Sequence, residues 1–379
     1  MIKVLSIHWG FSVGGIVKYA QLIDNVFHQA PIKIFSIVIL GDNWDYDKNT
    51  LEKISAKTVY IKNRYDFSWI SKSVLEIDSL RPQIIMTHGF NGHFVAAITR
   101  MRTKTKPRYI CSYHGSYYAF TPIRKVFQRL INNFTEAYIR YCAYSCVAVS
   151  KFTKQSLLRK GVVSSKIEVI YNGIRDEESP IKFRRKFRKD WGVQDSEILL
   201  GVTSRLDPFK GIEYLIDAFY VLCKKITNCK LVIIGSGTIE KKLKEKVIKC
   251  GLNQKVIFTG FRSEVPKCLL AIDIFILPSL AENHSIGLIE AMRAGKAIIA
   301  TNVGGNTESV CHLKEGLIIP AANSKSLIDA IEKLVEHRSL AETLGKSARE
   351  KFKKTFTEEI MVRKTAQWLV KCATHPTQK

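Results

Sequence analysis

Short apolar runs alternate with segments long enough to be helices along almost the whole chain. They are "KVLSIH", "KIFSIVIL", "QIIMTH", "RYICSYHG" and "SCVAVS" in the first half, then "ILLGVTS", "KLVIIG", "KVIFTG", "IDIFILP", "KAIIAT" and "GLIIP". Runs that are apolar at successive positions bury both faces of a strand, which requires a parallel sheet covered by helices on either side. The alternation breaks once. Between "YNGIR" (171–175) and "ILLGVTS" (198–204) lies "DEESPIKFRRKFRKDWGVQDSE", with Pro180 and a dense cationic run, which reads as a linker. The expected plan is therefore two doubly wound α/β domains, 1–175 and 198–355, joined by a linker over 176–197. A closing helix over 356–379 could pack back on the first domain. At 379 residues the chain exceeds the roughly 250–300 at which a single core stops growing. Ligands of such folds bind where the strand C-termini point, here a cleft between the domains.

The charge narrows the partners. With 59 Lys and Arg against 34 Asp and Glu, the formal net charge is +25, which implies an anionic partner: nucleic acid, an anionic membrane surface or a phosphorylated substrate. No nucleic-acid module is recognisable. The nine cysteines contain no CxxC, and the Cys142–Cys146 pair lacks the second pair or nearby His of a zinc site, so reduced thiols and a cytoplasmic location are expected. The start "MIKVLSIHWG" lacks the apolar core of a signal peptide, and no apolar run approaches the roughly 20 residues of a membrane span. A dinucleotide oxidoreductase is disfavoured because "VLSIHWGFSVGG" has no GxGxxG after its strand.

The second domain carries the more specific signals. "VTSRLDPFKGIEYLIDAF" ends a strand and sets Arg205, Lys210 and Gly211 ahead of an amphipathic helix, as a diphosphate site requires and as ordinary surface cations would also do. Gly235 in "IIGSGT" permits close backbone approach by a ligand, or simply makes a βα turn. Phe261, after "FTG", is placed to flank a base or to pack. "ENHSIGLIEA" (282–291) brings two acids to a helix start, with Ser285 as N-cap and Gly295 as the residue that closes the helix. Glu282 and Glu290 either complement the helix dipole or accept hydrogen bonds from hydroxyls on either side of a bound phosphate. Hydroxyl, diphosphate, hydroxyl describes a nucleotide sugar.

In order and spacing, "VGG" (13–15), "SYHG" (112–115), "VAVSKFTKQSL" (147–157), "IEVIYNGI" (167–174), "SRLDPFKG" (204–211), "VIIGSG" (232–237), "FILPSLAENHSIGLIEAMRAGKAIIATNVGG" (275–305) and "EGLIIP" (315–320) resemble the retaining GT-B-fold glycosyltransferases of group 1. That large family includes glycogen synthases, sucrose synthases and bacterial lipopolysaccharide transferases, and the resemblance covers nearly the whole chain. It implies two Rossmann-like domains facing a central cleft and a nucleotide-sugar donor, with no cofactor. By it, Glu290 holds the ribose hydroxyls and Glu282 those of a hexose. Arg205 and Lys210 bind the diphosphate, assisted by backbone groups at Gly14, Gly15, Asn283, His284 and Ser285. His114 matches the family's histidine near the reacting centre, and His88 in "MTHGFNGH" lies at the next strand end, as a packing residue or a site residue. The chain departs from the family at Asn283 and His284, where Gly and Phe are frequent, so this loop does not name the donor sugar.

The mechanism implied retains the anomeric configuration and uses no metal, with Arg205 and Lys210 stabilising the leaving diphosphate. "DYD" (45–47) mimics the metal-binding DxD of another transferase fold but lies far in sequence from those residues. For the acceptor, "RMRTKTKPR" (100–108), "KFRRKFRK" (182–189) and "PIRKVFQRLINNFTEAYIRYCAY" (122–144) are strongly basic. The last edges an apolar stripe with Arg124, Lys125 and Arg129, as a helix lying on anionic lipid would, or a core helix with a solvated rim. The expectation is a glycosyltransferase held peripherally at the inner face of the plasma membrane, acting on a lipid-linked glycan in cell-surface polysaccharide synthesis. The alternatives are a soluble acceptor, or a nucleotide-sugar epimerase or hydrolase on a similar fold.

Overall fold

Every apolar run quoted first above forms a strand, and among the described residues all the pairings between strands are parallel. The structure is a computed structural model that describes residues 1–9, 31–41, 51, 56–63, 66–115, 122–177 and 180–374, excepting the side chains of 122–125, 127 and 128. The chain divides into two units, Met1–Tyr171 with Glu358–Lys379, and Asn172–Thr357.

In the first unit β1 (Ile2–Trp9), β2 (Ile32–Gly41), β3 (Ala56–Ile61), β4 (Ile84–His88), β5 (Arg108–Tyr113), β6 (Ser145–Ala148) and β7 (Ile167–Val169) lie in the order β3-β2-β1-β4-β5-β6-β7. The order reverses between β1 and β4, whose register runs from Val4 opposite Ile84 to Ile7 opposite Thr87. Every residue of β4 is buried, which is why its sequence shows no polar alternation. The two strands not expected are those at the edges: β3 leaves Lys57 and Tyr60 in water, and β7 has three residues. An edge strand loses the two-faced apolar signal that marks a central one. The helix Glu358–Thr374 belongs to this unit, packing Met361, Trp368 and Leu369 against Val4, Ile34 and Ile84, with the Trp368 indole N–H donating to Ser145 Oγ at 2.9 Å.

The second unit holds β8 (Ile198–Thr203), β9 (Cys229–Ile234), β10 (Val256–Gly260), β11 (Ile274–Leu277), β12 (Ala297–Thr301) and β13 (Leu317–Ile319), in the order β10-β9-β8-β11-β12-β13. Its reversal lies between β8 and β11. The stretch expected as a linker is instead part of this unit. Lys182–Asp190 is a helix whose Phe187 and Arg188 are both buried. Arg188 donates to Asp273 Oδ2 and Ala271 O, each at 3.1 Å, and to Gln194 O at 2.6 Å, while Arg184 meets Asp273 Oδ1 at 2.7 Å. Two cations of the expected linker, Arg184 and Arg188, are thus taken up by one carboxylate and by carbonyls, because Phe183, Arg184, Phe187 and Arg188 recur at helical spacing on one face, while Lys182, Arg185, Lys186 and Lys189 stay exposed.

Candidate functional site

The C-terminal ends of β8 and β11 bring together the residues that the sequence separates. Beyond β8 the chain makes a short 3-10 turn, Pro208–Lys210, before the helix Ile212–Lys225. Beyond β11 it runs through Ser279 to the cap of the helix Ile286–Arg293. Leu280 N–H donates to Phe209 O at 2.7 Å and ties the two loops. In consequence Lys210 Nζ meets Glu282 Oε1 at 2.6 Å, with side-chain exposures of 15% and 8%. Ser279 Oγ donates to the same carboxylate oxygen at 2.7 Å, and Thr301 Oγ1, at the end of β12, fixes that loop through Ser279 O at 2.6 Å. The third loop closes on Glu282 from behind. Gly304 has φ +53°, and a Cβ there would fall 1.6 Å from Glu282 O, so only glycine fits.

Arg205 lies on the same loop as Lys210, and both cations approach the Phe209 ring. Its guanidinium lies 5.8 Å from the Phe209 ring centroid and Lys210 Nζ 5.1 Å from the same centroid. Its side chain is 74% exposed, and its contact with Asp207 at 3.2 Å is a surface pair, worth about 0–1 kcal/mol. The guanidinium is therefore available to a stronger anion. Gly235 is a position of close approach, but to protein: its Cβ would fall 1.9 Å from Ser204 O, the backbone that leads into Arg205. Phe261 is 61% exposed after β10.

Ser285 caps its helix by accepting from Leu288 N–H at 3.4 Å, and Gly295 closes it with φ +63°. Glu290 is buried in that helix. The Arg293 guanidinium, held below its usual value chiefly by burial, feels the Glu290 charge and donates to Arg175 O at 3.0 Å. Asn283 is half-buried. The His284 ring is engaged elsewhere: its Nδ1 accepts from Asn172 N–H at 3.2 Å, and the ring packs 5.4 Å from Phe356. Burial pushes its pKa down to about 3. The His284 carbonyl also accepts from Asn172 Nδ2 at 3.3 Å, so this residue anchors the segment entering the unit.

In the first unit His88 and His114 end up in a larger histidine cluster at the ends of β1, β4 and β5. Their rings are 6.2 Å apart, and His88 stacks on His8 at 4.9 Å with 5° between the planes. Ser6 Oγ lies 2.8 Å from His8 Nε2 and 3.1 Å from His88 Nε2. Because that hydroxyl has one proton, it can donate to at most one of the two rings and must accept from the other. Burial pushes His8 and His114 down to about 4 and, with neighbouring imidazoles, drives His88 well below its ordinary value. His93 is pushed to about 3, bonded to Thr87 Oγ1 at 2.8 Å and stacked on Tyr138. All are neutral at pH 7 and suited to hydrogen bonding with hydroxyls. Sequence reasoning missed Ser6, His8 and His93. The available signal was a polar residue at alternate positions of "SIH", at the end of an otherwise apolar strand.

The structure does not bring every expected residue to a described site. Gly14, Gly15 and the "DYD" at 45–47 lie outside the described residues, as do the side chains of Arg124 and Lys125. On the same helix, Pro122–Ala137, Arg129 is exposed, and so are Val126 (63%) and Leu130 (61%). Among the described residues no helix is long and apolar enough to cross a membrane.

The model for "Glycosyl transferases group 1" matches residues 183–351, and that for "Glycosyltransferase Family 4" matches 28–178. An uncharacterised glycosyltransferase of Methanocaldococcus jannaschii, MJ1607, is 31% identical over 55% of this chain, which spans 55% of the length of that protein. The UDP-Gal:alpha-D-GlcNAc-diphosphoundecaprenol alpha-1,3-galactosyltransferase of Escherichia coli is 24% identical over 84% of this chain and 79% of its own. The solved structure of Anabaena HepE (Alr3699) in complex with UDP shares the fold, with a TM-score of 0.84 and 21% identity over 98% of this chain and 100% of that one. With a family 4 match in its first half, a group 1 match in its second and this fold throughout, the chain belongs to the group 1 glycosyltransferases of GT-B fold.

Proposed function

We propose that this protein transfers a hexose from a UDP-sugar to a hydroxyl of a membrane-linked glycan, with retention of configuration and without a metal, in cell-surface polysaccharide synthesis. The observation that carries the reading is the Lys210–Glu282 pair at 2.6 Å at the β8/β11 strand ends, with Arg205 on the same loop as Lys210. UDP is the nucleotide bound in the HepE structure, and the E. coli relative is named for a diphosphoundecaprenol-linked acceptor.

In this mechanism Lys210 exchanges its carboxylate partner for the donor diphosphate, and Arg205 swings from Asp207 to the same group. Glu282, released from Lys210 and still held by Ser279, accepts hydrogen bonds from hexose hydroxyls. Glu290 does the same for the ribose. The bond from the anomeric carbon to the phosphate oxygen breaks, the bond to the acceptor oxygen forms on the same face, and the acceptor proton passes to the leaving phosphate oxygen. Charge grows on the diphosphate during that step, so cations placed there before the reaction lower its barrier. His114 is assigned to the acceptor side, as a neutral hydrogen-bonding group. Arg124, Lys125 and Arg129, with the exposed Val126 and Leu130, would rest on anionic lipid at the cytoplasmic face.

The test is a transfer assay with labelled UDP-hexoses, a polyprenyl-diphosphate-linked glycan and EDTA present, with the product anomer read by NMR. A retained anomer on the lipid-linked acceptor is expected. An inverted product, epimerised or free sugar alone, or loss of activity in EDTA with rescue by manganese overturns the corresponding part of the reading.

A further inference from the structure

At the edge of the first sheet opposite the histidines, the loops that lead into β5, β6 and β7 enclose a cavity of about 710 Å³ against the last turn of the helix Glu358–Thr374. Arg108 opens β5 and Ser145 opens β6, so the cavity lies at the strand N-termini. Its wall carries Arg100, Lys106, Arg108, Lys166 and Lys371 against a single carboxylate, Glu168. Part of the basic run "RMRTKTKPR" is thus gathered in one concavity with cations from two distant segments.

Three of these cations are held by carbonyl oxygens. Arg100 Nη1 donates to Cys142 O at 2.5 Å, Arg108 Nη1 to Cys372 O, and Lys166 Nζ to Arg140 O and Ala143 O at 3.1 Å each. A carbonyl satisfies a hydrogen bond but neutralises no charge. Each guanidinium also lies over an aromatic ring, Arg108 over Tyr144 at 4.9 Å and Arg100 over Tyr109 at 5.7 Å. Positioned cations around one cavity repel each other until an anion enters, and fixed guanidinium forks match phosphate oxygens. The volume falls in the range of about 300–1,000 Å³ typical of sites for small organic ligands. The segments before β5, β6 and β7 each leave a large apolar side chain in water: Met101, Tyr141 in the helical turn Tyr138–Cys142, and Val163.

We propose that this cavity is a phosphate-binding site separate from the sugar-transfer machinery, taking the phosphate of an anionic phospholipid headgroup or of a soluble phosphorylated molecule. Hydrogen exchange of the full chain, followed by mass spectrometry over 100–108 and 366–374, tests it with two probes. These are inorganic pyrophosphate and vesicles of phosphatidylglycerol in phosphatidylcholine. Pyrophosphate should slow exchange in both segments. The effect should vanish in Lys106→Gln/Lys371→Gln and return in Lys106→Arg/Lys371→Arg, which keeps the charge. Vesicle protection that is lost in Met101→Ser/Tyr141→Ser/Val163→Ser, while pyrophosphate protection persists, assigns the phosphate to a lipid. Pyrophosphate protection with no response to vesicles assigns it to a soluble molecule. Absence of protection by either probe, or protection that survives in the Gln variant, overturns the site.

Discussion

Lys210 Nζ lies 2.6 Å from Glu282 Oε1, and both side chains are nearly withdrawn from water. The pair joins the loop after β8 to the loop after β11, so it is a tertiary contact as well as a candidate site. Truncating either partner leaves the other charged in a poorly solvated place, which costs more than the intact pair contributes. A double-mutant cycle of Lys210→Met and Glu282→Gln, followed by equilibrium unfolding, should give a coupling of about 0.5–3 kcal/mol. Additive effects would mean that the contact carries no interaction in solution.

The cations should act on turnover more than on binding. Lys210→Met is expected to lower kcat by about a hundredfold or more, the scale of losing one preorganised donor at a growing negative charge. Arg205→Met should act in the same direction. A variant with normal kcat and only a raised donor KM would place its cation in ground-state binding instead.

Glu290→Gln keeps the shape of a buried side chain and removes its charge. A charged hydrogen bond contributes about 1.5–3 kcal/mol, so affinity for UDP should fall by roughly ten- to a hundredfold. Calorimetric titration with UDP measures this directly, and unchanged affinity would remove Glu290 from the nucleotide site.

Gly304→Ala adds one methyl group where a Cβ would lie 1.6 Å from Glu282 O, at a φ of +53°. The Glu282 loop must move, with a stability loss of at least about 1–3 kcal/mol and weaker donor binding. Thermal unfolding with and without UDP reads both effects, and a variant matching the parent in each would show that the loops accommodate the methyl.

The histidine cluster should make the first unit sensitive to acid. Burial holds His8 and His114 at about 4 in the folded chain, below the ordinary 6.5, so the unfolded chain binds protons more readily. Their contribution to stability is full above about pH 6.5 and is lost as pH falls through about 4. The protection of the β1 and β4 amides, taken relative to the intrinsic exchange rate at each pH, should therefore fall over that window in the full chain, and His8→Gln should flatten the trend. An unchanged pH dependence in that variant would mean that His8 is not held neutral by its surroundings.

Central strands were legible in the sequence because a strand buried on both faces takes mostly apolar residues, and short runs of that kind recur here at helix-length spacing. Ser285 and Gly295 were legible for a similar local reason: a helix start wants a side-chain acceptor, and its end here takes a positive φ. What local pattern cannot carry is the destination of a charge. Arg184 and Arg188 read as part of a basic linker until Asp273, far along the chain, is brought beside them. Ser6, His8 and His88 become one cluster only because β1 and β4 are neighbours in the sheet. Lys210 and Glu282 acquire each other the same way, from the order of strands, which depends on the packing of the whole sheet and on no short segment of it.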